Sequence, residues 1–100
     1  MEIRSSADQA RPTYHLTGRF DAHQVPRFKE ALAHHDAAKG LELDLSGVSF
    51  IDSTGLATLV GLYKEASAAG GDMSITGVQD QVYVIFEITH LHQVLPLKRA

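Results

Sequence analysis

Two hydrophobic periods alternate along this chain, and the points where one gives way to the other constrain the fold more than any other feature. Leu41-Glu42-Leu43-Asp44-Leu45 alternates strictly, the pattern of a strand with Leu41, Leu43 and Leu45 on its inner face. Further on, Leu56, Leu59, Val60 and Tyr63 fall at i, i+3, i+4 and i+7, which is an amphipathic helix running to Gly70-Gly71. The same exchange occurs earlier. Thr13–Phe20 mixes β-branched and aromatic residues as a strand does, with Tyr14 and Leu16 on one side. After Asp21, Val25, Phe28 and Leu32 form a helical stripe that Pro26 opens and Gly40 stops. A chain that trades strand period for helix period in this way folds as α/β.

The remaining segments follow less sharply. Ser5–Pro12 is polar and reads as a turn between two short strands. Ser46-Gly47 is expected to break the strand that begins at Leu41, with Val48–Ile51 continuing apolar. Met73–Thr76 is a short strand that Gly77 ends. Val82–Ile88 suits a strand by its β-branched and aromatic content, yet Val82, Ile85, Phe86 and Thr89 also fit a helical face, with Asp80 in the first turn or capping it. Val94–Leu97 contains Pro96, which confines it to a sheet edge. Tyr14, Phe28 and Phe86 are core candidates by spacing.

Composition then excludes whole classes. The chain has 100 residues, 44% hydrophobic and 21% charged, which is ordinary for one globular domain and unlike a disordered tail. It has no cysteine, so disulfides, thiolate zinc and cysteine nucleophiles are ruled out. Nine basic against twelve acidic residues is a poor footprint for nucleic acid. The longest apolar stretch, Leu56–Leu62, holds Thr58 and Gly61 and is far too short to span a bilayer. Met1-Glu2-Ile3-Arg4 does not read as a signal peptide, so a cytoplasmic location is expected.

Phe50-Ile51-Asp52-Ser53-Thr54-Gly55-Leu56 carries the most chemical information. A strand ends, a carboxylate and two hydroxyls follow, a glycine permits close approach, and a helix begins. On one reading Ser53 or Thr54 is simply the N-cap, accepting a hydrogen bond from a first-turn amide. On another, the helix terminus is a place where an added anion is tolerated, because free N–H groups and the helix dipole favour negative charge. A phosphate on Ser53 would bring roughly −1.5 to −2 charge at neutral pH. Its effect would fall on whatever docks over the loop rather than on the fold.

The stretch LELDLSGVSFIDSTGLATLVGLYKEASAAGG resembles the centre of a STAS domain, as in bacterial anti-sigma factor antagonists. Thr17-Gly18-Arg19-Phe20-Asp21, Asp52-Ser53-Thr54-Gly55-Leu56, and Gly77-Val78 with Ile85-Phe86-Glu87-Ile88-Thr89-His90-Leu91 supply the family's three marks in order, across about Thr13 to Leu97. The resemblance implies a single α/β domain with a small mixed sheet of four to five strands, helices packed largely on one face, and residues 80–91 helical. It implies that Ser53 is phosphorylated by a partner that is both anti-sigma factor and serine kinase, and that a phosphatase removes the phosphate. Asp21 and Asp52 are then the acids flanking the loop. Asp52 would orient the serine hydroxyl and Asp21 set the local field. Thr54 would complete the cap, and Gly55 would let the backbone approach the partner. The protein would be a regulator and not an enzyme, holding no cofactor and no metal. Two departures stand out. Tyr83 and Val84 occupy positions near the start of the last helix where basic residues are common, and His90 replaces a frequent glycine.

Other readings fare worse against the residues. The fold also serves as an assembly subunit of lipid-transport ABC machines and as the tail of anion transporters. In the lipid-transport subunits the loop serine is often absent, so Ser53 favours the switch. Asp-Ser-Thr-Gly is similar to the aspartic-protease triplet, but an extra residue separates Asp52 from Gly55 and the following period is helical. No Gly-x-Ser-x-Gly elbow and no Gly-rich phosphate loop with Lys is present. His34-His35 and His90-x-His92 lack converging acidic ligands and are expected to be solvated residues at helix ends.

Overall fold

The computed structural model describes residues 1–6 and 11–100. Five strands form one sheet in the order β1 (Glu2–Ser6), β2 (Thr13–Phe20), β3 (Leu41–Ile51), β4 (Met73–Val78) and β5 (Leu97–Arg99). β1 pairs antiparallel with β2, and every later pairing is parallel, so the sheet is mixed. Three α-helices connect the parallel strands: α1 (Val25–Ala31), α2 (Ser53–Ala68) and α3 (Asp80–Ile88). Each crossover adds its strand on the same side of the last. Right-handed connections therefore place all three helices on one face.

The strand pattern shows which face that is. Tyr14, Leu16, Leu41, Leu43, Leu45, Met73 and Ile75 are buried. Their alternates Thr13, His15, Glu42, Asp44, Ser74 and Thr76 remain partly exposed on the open side. Phe28 of α1, Leu56 and Leu59 of α2, and Val82 and Phe86 of α3 complete the core. Burying one such side chain contributes about 1.5–3 kcal/mol, so the apolar stripe of each helix decides where it sits.

Several boundaries differ from the sequence reading. β3 runs unbroken through Ser46-Gly47, because Gly47 stays in register with Thr17 of β2; the irregularities are two register shifts, between His15 and Thr17 and between Gly18 and Arg19. β4 likewise passes through Gly77, which takes φ 68°, and ends at Val78. α1 stops at Ala31 rather than near Gly40, and a short 3-10 turn, Ala37–Lys39, occupies the interval. The stretch from Asp80 is helical as the resemblance implied, but ends at Ile88, with a separate 3-10 turn at Leu91–Gln93. The edge strand after Pro96 begins at Leu97, not Val94. β1 extends to Ser6, so Ser5 and Ser6 are strand and not part of the turn expected over Ser5–Pro12, and residues 7–10 lie outside the described residues.

Candidate functional site

Parallel pairing of β2 with β3 brings Phe20 level with Ile51, so the loops leaving these strands meet at one end of the sheet. Asp52 joins them. Its backbone is extended (φ −106°, ψ −177°), and its Oδ1 accepts a hydrogen bond from the Gly55 amide at 2.9 Å, which makes it the N-cap of α2. Its Oδ2 accepts from the Ala22 amide of the β2–α1 loop at 3.0 Å, and its own amide donates to the Phe20 carbonyl at 3.2 Å. The Gly55 amide is the main reason that the Asp52 carboxyl lies below its ordinary value; the cost of desolvation opposes it, and the Ala22 amide reinforces it.

The cap is therefore Asp52, not Ser53 or Thr54. A carboxylate bears a full charge toward the positive end of the helix, and its position leaves Gly55 at N3, where a cap's partner amide lies. The consequence for Ser53 is direct. It occupies the first helical position, is exposed, and among the described residues its hydroxyl has no hydrogen-bond partner. Thr54 is exposed beside it, and its carbonyl accepts from the Thr58 hydroxyl at 2.8 Å.

Asp21 shapes the neighbouring loop. Its Oδ1 accepts from the His23 and Gln24 amides at 3.1 and 3.2 Å, and its carbonyl accepts from the Gln24 and Val25 amides. Its Oδ2 meets Arg19 Nε at 3.3 Å, so the acidic field expected of Asp21 is partly offset by a cation. Gly55 is buried, and its close neighbour is this chain rather than a partner. A Cβ there would stand 2.5 Å from the Phe20 carbonyl oxygen and 2.8 Å from Ile51 Cγ1. Gly55 thus lets α2 seat against the ends of β2 and β3, fixing the exposed serine two residues before it.

Of the five expected residues, Asp21 lies in the β2–α1 loop, and Asp52, Ser53, Thr54 and Gly55 form the cap and first turn of α2 beside it. Sequence reasoning missed Arg19 and Phe50. They are register partners on β2 and β3, and the Arg19 guanidinium lies 4.1 Å from the centroid of the Phe50 ring, which is 38% exposed. Only the strand register joins them, and no local pattern could have signalled it.

The two departures noted in the last helix resolve differently. The cation absent from the start of α3 arrives from β5: Arg99 bonds Asp80 at 2.8 Å and stacks on Tyr83 at 4.6 Å. His90 keeps the backbone a glycine would have, at φ 60° and ψ 13°. Nor are the histidines all solvated. His35 packs edge-on against Tyr14, and His92 is half-buried with Nδ1 3.3 Å from the Phe86 carbonyl oxygen.

Comparison with known proteins agrees with this geometry. The STAS domain family model matches residues 3–100. An anti-sigma-B factor antagonist of Listeria monocytogenes is 35% identical over 87 residues, covering 85% of this chain and 76% of that protein. In fold, the chain matches an anti-sigma factor antagonist from Mycobacterium paratuberculosis with a TM-score of 0.82 at 20% identity, covering 99% of this chain and 86% of that one. It also matches the Bacillus cell fate determinant SpoIIAA in its phosphorylated form, with a TM-score of 0.74 at 16% identity over 99% and 91% of the two chains. This chain is a STAS-domain protein of the anti-sigma factor antagonist family.

Proposed function

We propose that this protein is an anti-sigma factor antagonist that works as a phosphorylation-controlled partner switch. With Ser53 free it binds an anti-sigma factor serine kinase and so releases a sigma factor; phosphorylation of Ser53 ends the complex, and a phosphoserine phosphatase restores it. The observation that carries this reading is the exposed Ser53 hydroxyl at the first position of α2, without a hydrogen-bond partner among the described residues, with the capping done by Asp52. A hydroxyl used as the cap would have to break a structural hydrogen bond before reacting, whereas this one is free to enter a kinase site. Support also comes from the names of the relatives and from a fold neighbour solved in a phosphorylated form.

The chemistry belongs to the partner, which supplies ATP and Mg²⁺. This chain supplies a nucleophilic hydroxyl, a loop held by Asp52 and Asp21, and a helix terminus that tolerates the new charge. Thr54 and Gly55 complete the partner-facing loop, Thr54 at its surface and Gly55 by setting its depth. A cytoplasmic location follows from this role.

Incubation with the anti-sigma factor kinase and ATP is expected to give one phosphosite, at Ser53, and Ser53→Ala to abolish it while still binding. Ser53→Asp is expected to bind the kinase at least about tenfold more weakly, with a melting temperature within a few degrees of wild type. Recovery of no phosphopeptide at Ser53, together with co-purification with a transport ATPase, would instead support the lipid-transport assembly reading.

A further inference from the structure

The two edges of the sheet differ in kind. At one edge, β5 has three residues, with Lys98 exposed and Arg99 held by Asp80, a strand too short to template a second copy. At the other edge, β1 pairs only with β2 among the described residues and carries one charge of each sign, Glu2 and Arg4, both exposed. These two are the register partners of Thr17 and His15, so they share the open, polar face of the sheet. Ile3 between them is the partner of Leu16 and faces the helices, where with Arg27, Glu30 and Ala31 it lines a depression beside α1.

We propose that β1 is a pairing edge for a second copy of this chain, joining two sheets antiparallel about a two-fold axis at Ile3. Facing residues of an antiparallel pair point to the same side, so the register is chosen by which charged and apolar residues it sets opposite one another. Centring on Arg4 sets Arg4 against itself, and centring on Glu2 sets Glu2 against itself. Centring on Ile3 sets Glu2 opposite Arg4 of the second copy, twice by symmetry, with Ile3 against Ile3 on the helix side. Arg27 and Glu30, both exposed next to Ile3 on α1, offer a second complementary pair across the same axis. The charges that usually guard an edge strand here select one register of self-pairing instead. This inference is independent of Ser53.

Sedimentation velocity of the full chain over a range of concentrations tests it. Wild type is expected to associate reversibly to a dimer that weakens with added salt. Glu2→Arg and Arg4→Glu each place like charges opposite one another and are expected to weaken association by about tenfold, while the double variant E2R/R4E restores it to within about threefold. Thermal melts check that the variants fold, and hydrogen exchange of the β1 amides is expected to slow as wild-type concentration rises. A wild-type chain that stays monomeric at every concentration would overturn the proposal. So would single reversals that leave the dimer unchanged, or a double variant no better than the singles.

Discussion

Gly55 and Gly61 lie on the same helix and make opposite demands. A methyl group at Gly55 meets the Phe20 carbonyl at 2.5 Å and the Phe20 ring at 2.7 Å, whereas a methyl at Gly61 meets nothing within 4 Å. Gly55→Ala is expected to destabilise the protein by about 1–3 kcal/mol, since α2 must back away from β2. Gly61→Ala is expected to stabilise it by about 0.5–1 kcal/mol through helix propensity. Denaturant unfolding of the two variants checks the pair, and equal effects would refute the packing account. His90 offers a third contrast. It holds a left-handed conformation at φ 60°, so His90→Gly is expected to gain up to about 1 kcal/mol rather than lose stability.

At the scale of elements, the pH response separates two regions. Desolvation lowers the His35 pKa from 6.5 above any other influence, with Asp36 opposing and Lys39 assisting. The unfolded chain therefore binds this proton first, and stability falls as pH drops below about 6.5. On the open face, desolvation pushes Asp44 up, but the Ser46 amide, the His15 ring at 2.8 Å and the Ser46 hydroxyl together bring it below 3.8. Asp52 is lowered at the mouth of α2, chiefly by the Gly55 amide. The stability these carboxylates contribute is present above the ordinary carboxylate value and is lost as pH falls from there through their lowered folded values. Acid titration of unfolding free energy is thus expected to show two stages. His35→Gln removes the upper one, and Asp44→Asn diminishes the lower one. Asp52→Ala is expected to lower the melting temperature by several degrees and to loosen the β2–α1 loop as well as α2, because one carboxylate holds both.

For the whole molecule, the proposed switch needs a scaffold that is indifferent to its own signal, and the topology provides one. The core lies between the sheet and its three helices, while Ser53 stands at the rim where two loops meet. The site was legible in the sequence to the extent that it is contiguous: Asp52 to Gly55 adjoin in the chain, and Asp21 was placed with them by the family likeness. That Asp52 also holds the β2–α1 loop, that Gly55 is buried against Phe20, and that Arg19 and Phe50 stack beside the loop all depend on contacts between residues about thirty positions apart.

The amino-acid order by itself determined where strand period yields to helix period, and hence the α/β class and the inward set Leu41, Leu43, Leu45, Leu56, Leu59 and Phe28. Those patterns are local, and burying an apolar stripe is worth more than any boundary preference. Only the tertiary structure decided that β3 runs through Ser46-Gly47 and that Asp52 rather than a hydroxyl caps α2. It also decided that His90 takes a glycine's backbone, whereas the helix over Val82–Ile88, open on propensity alone, was already implied by the family likeness. β3 is carried through Ser46-Gly47 by its pairing with β2, a neighbour distant in the chain that outweighs a propensity worth about 1 kcal/mol or less, whereas Asp52 is held both by the local Gly55 amide and by the Ala22 amide of another loop.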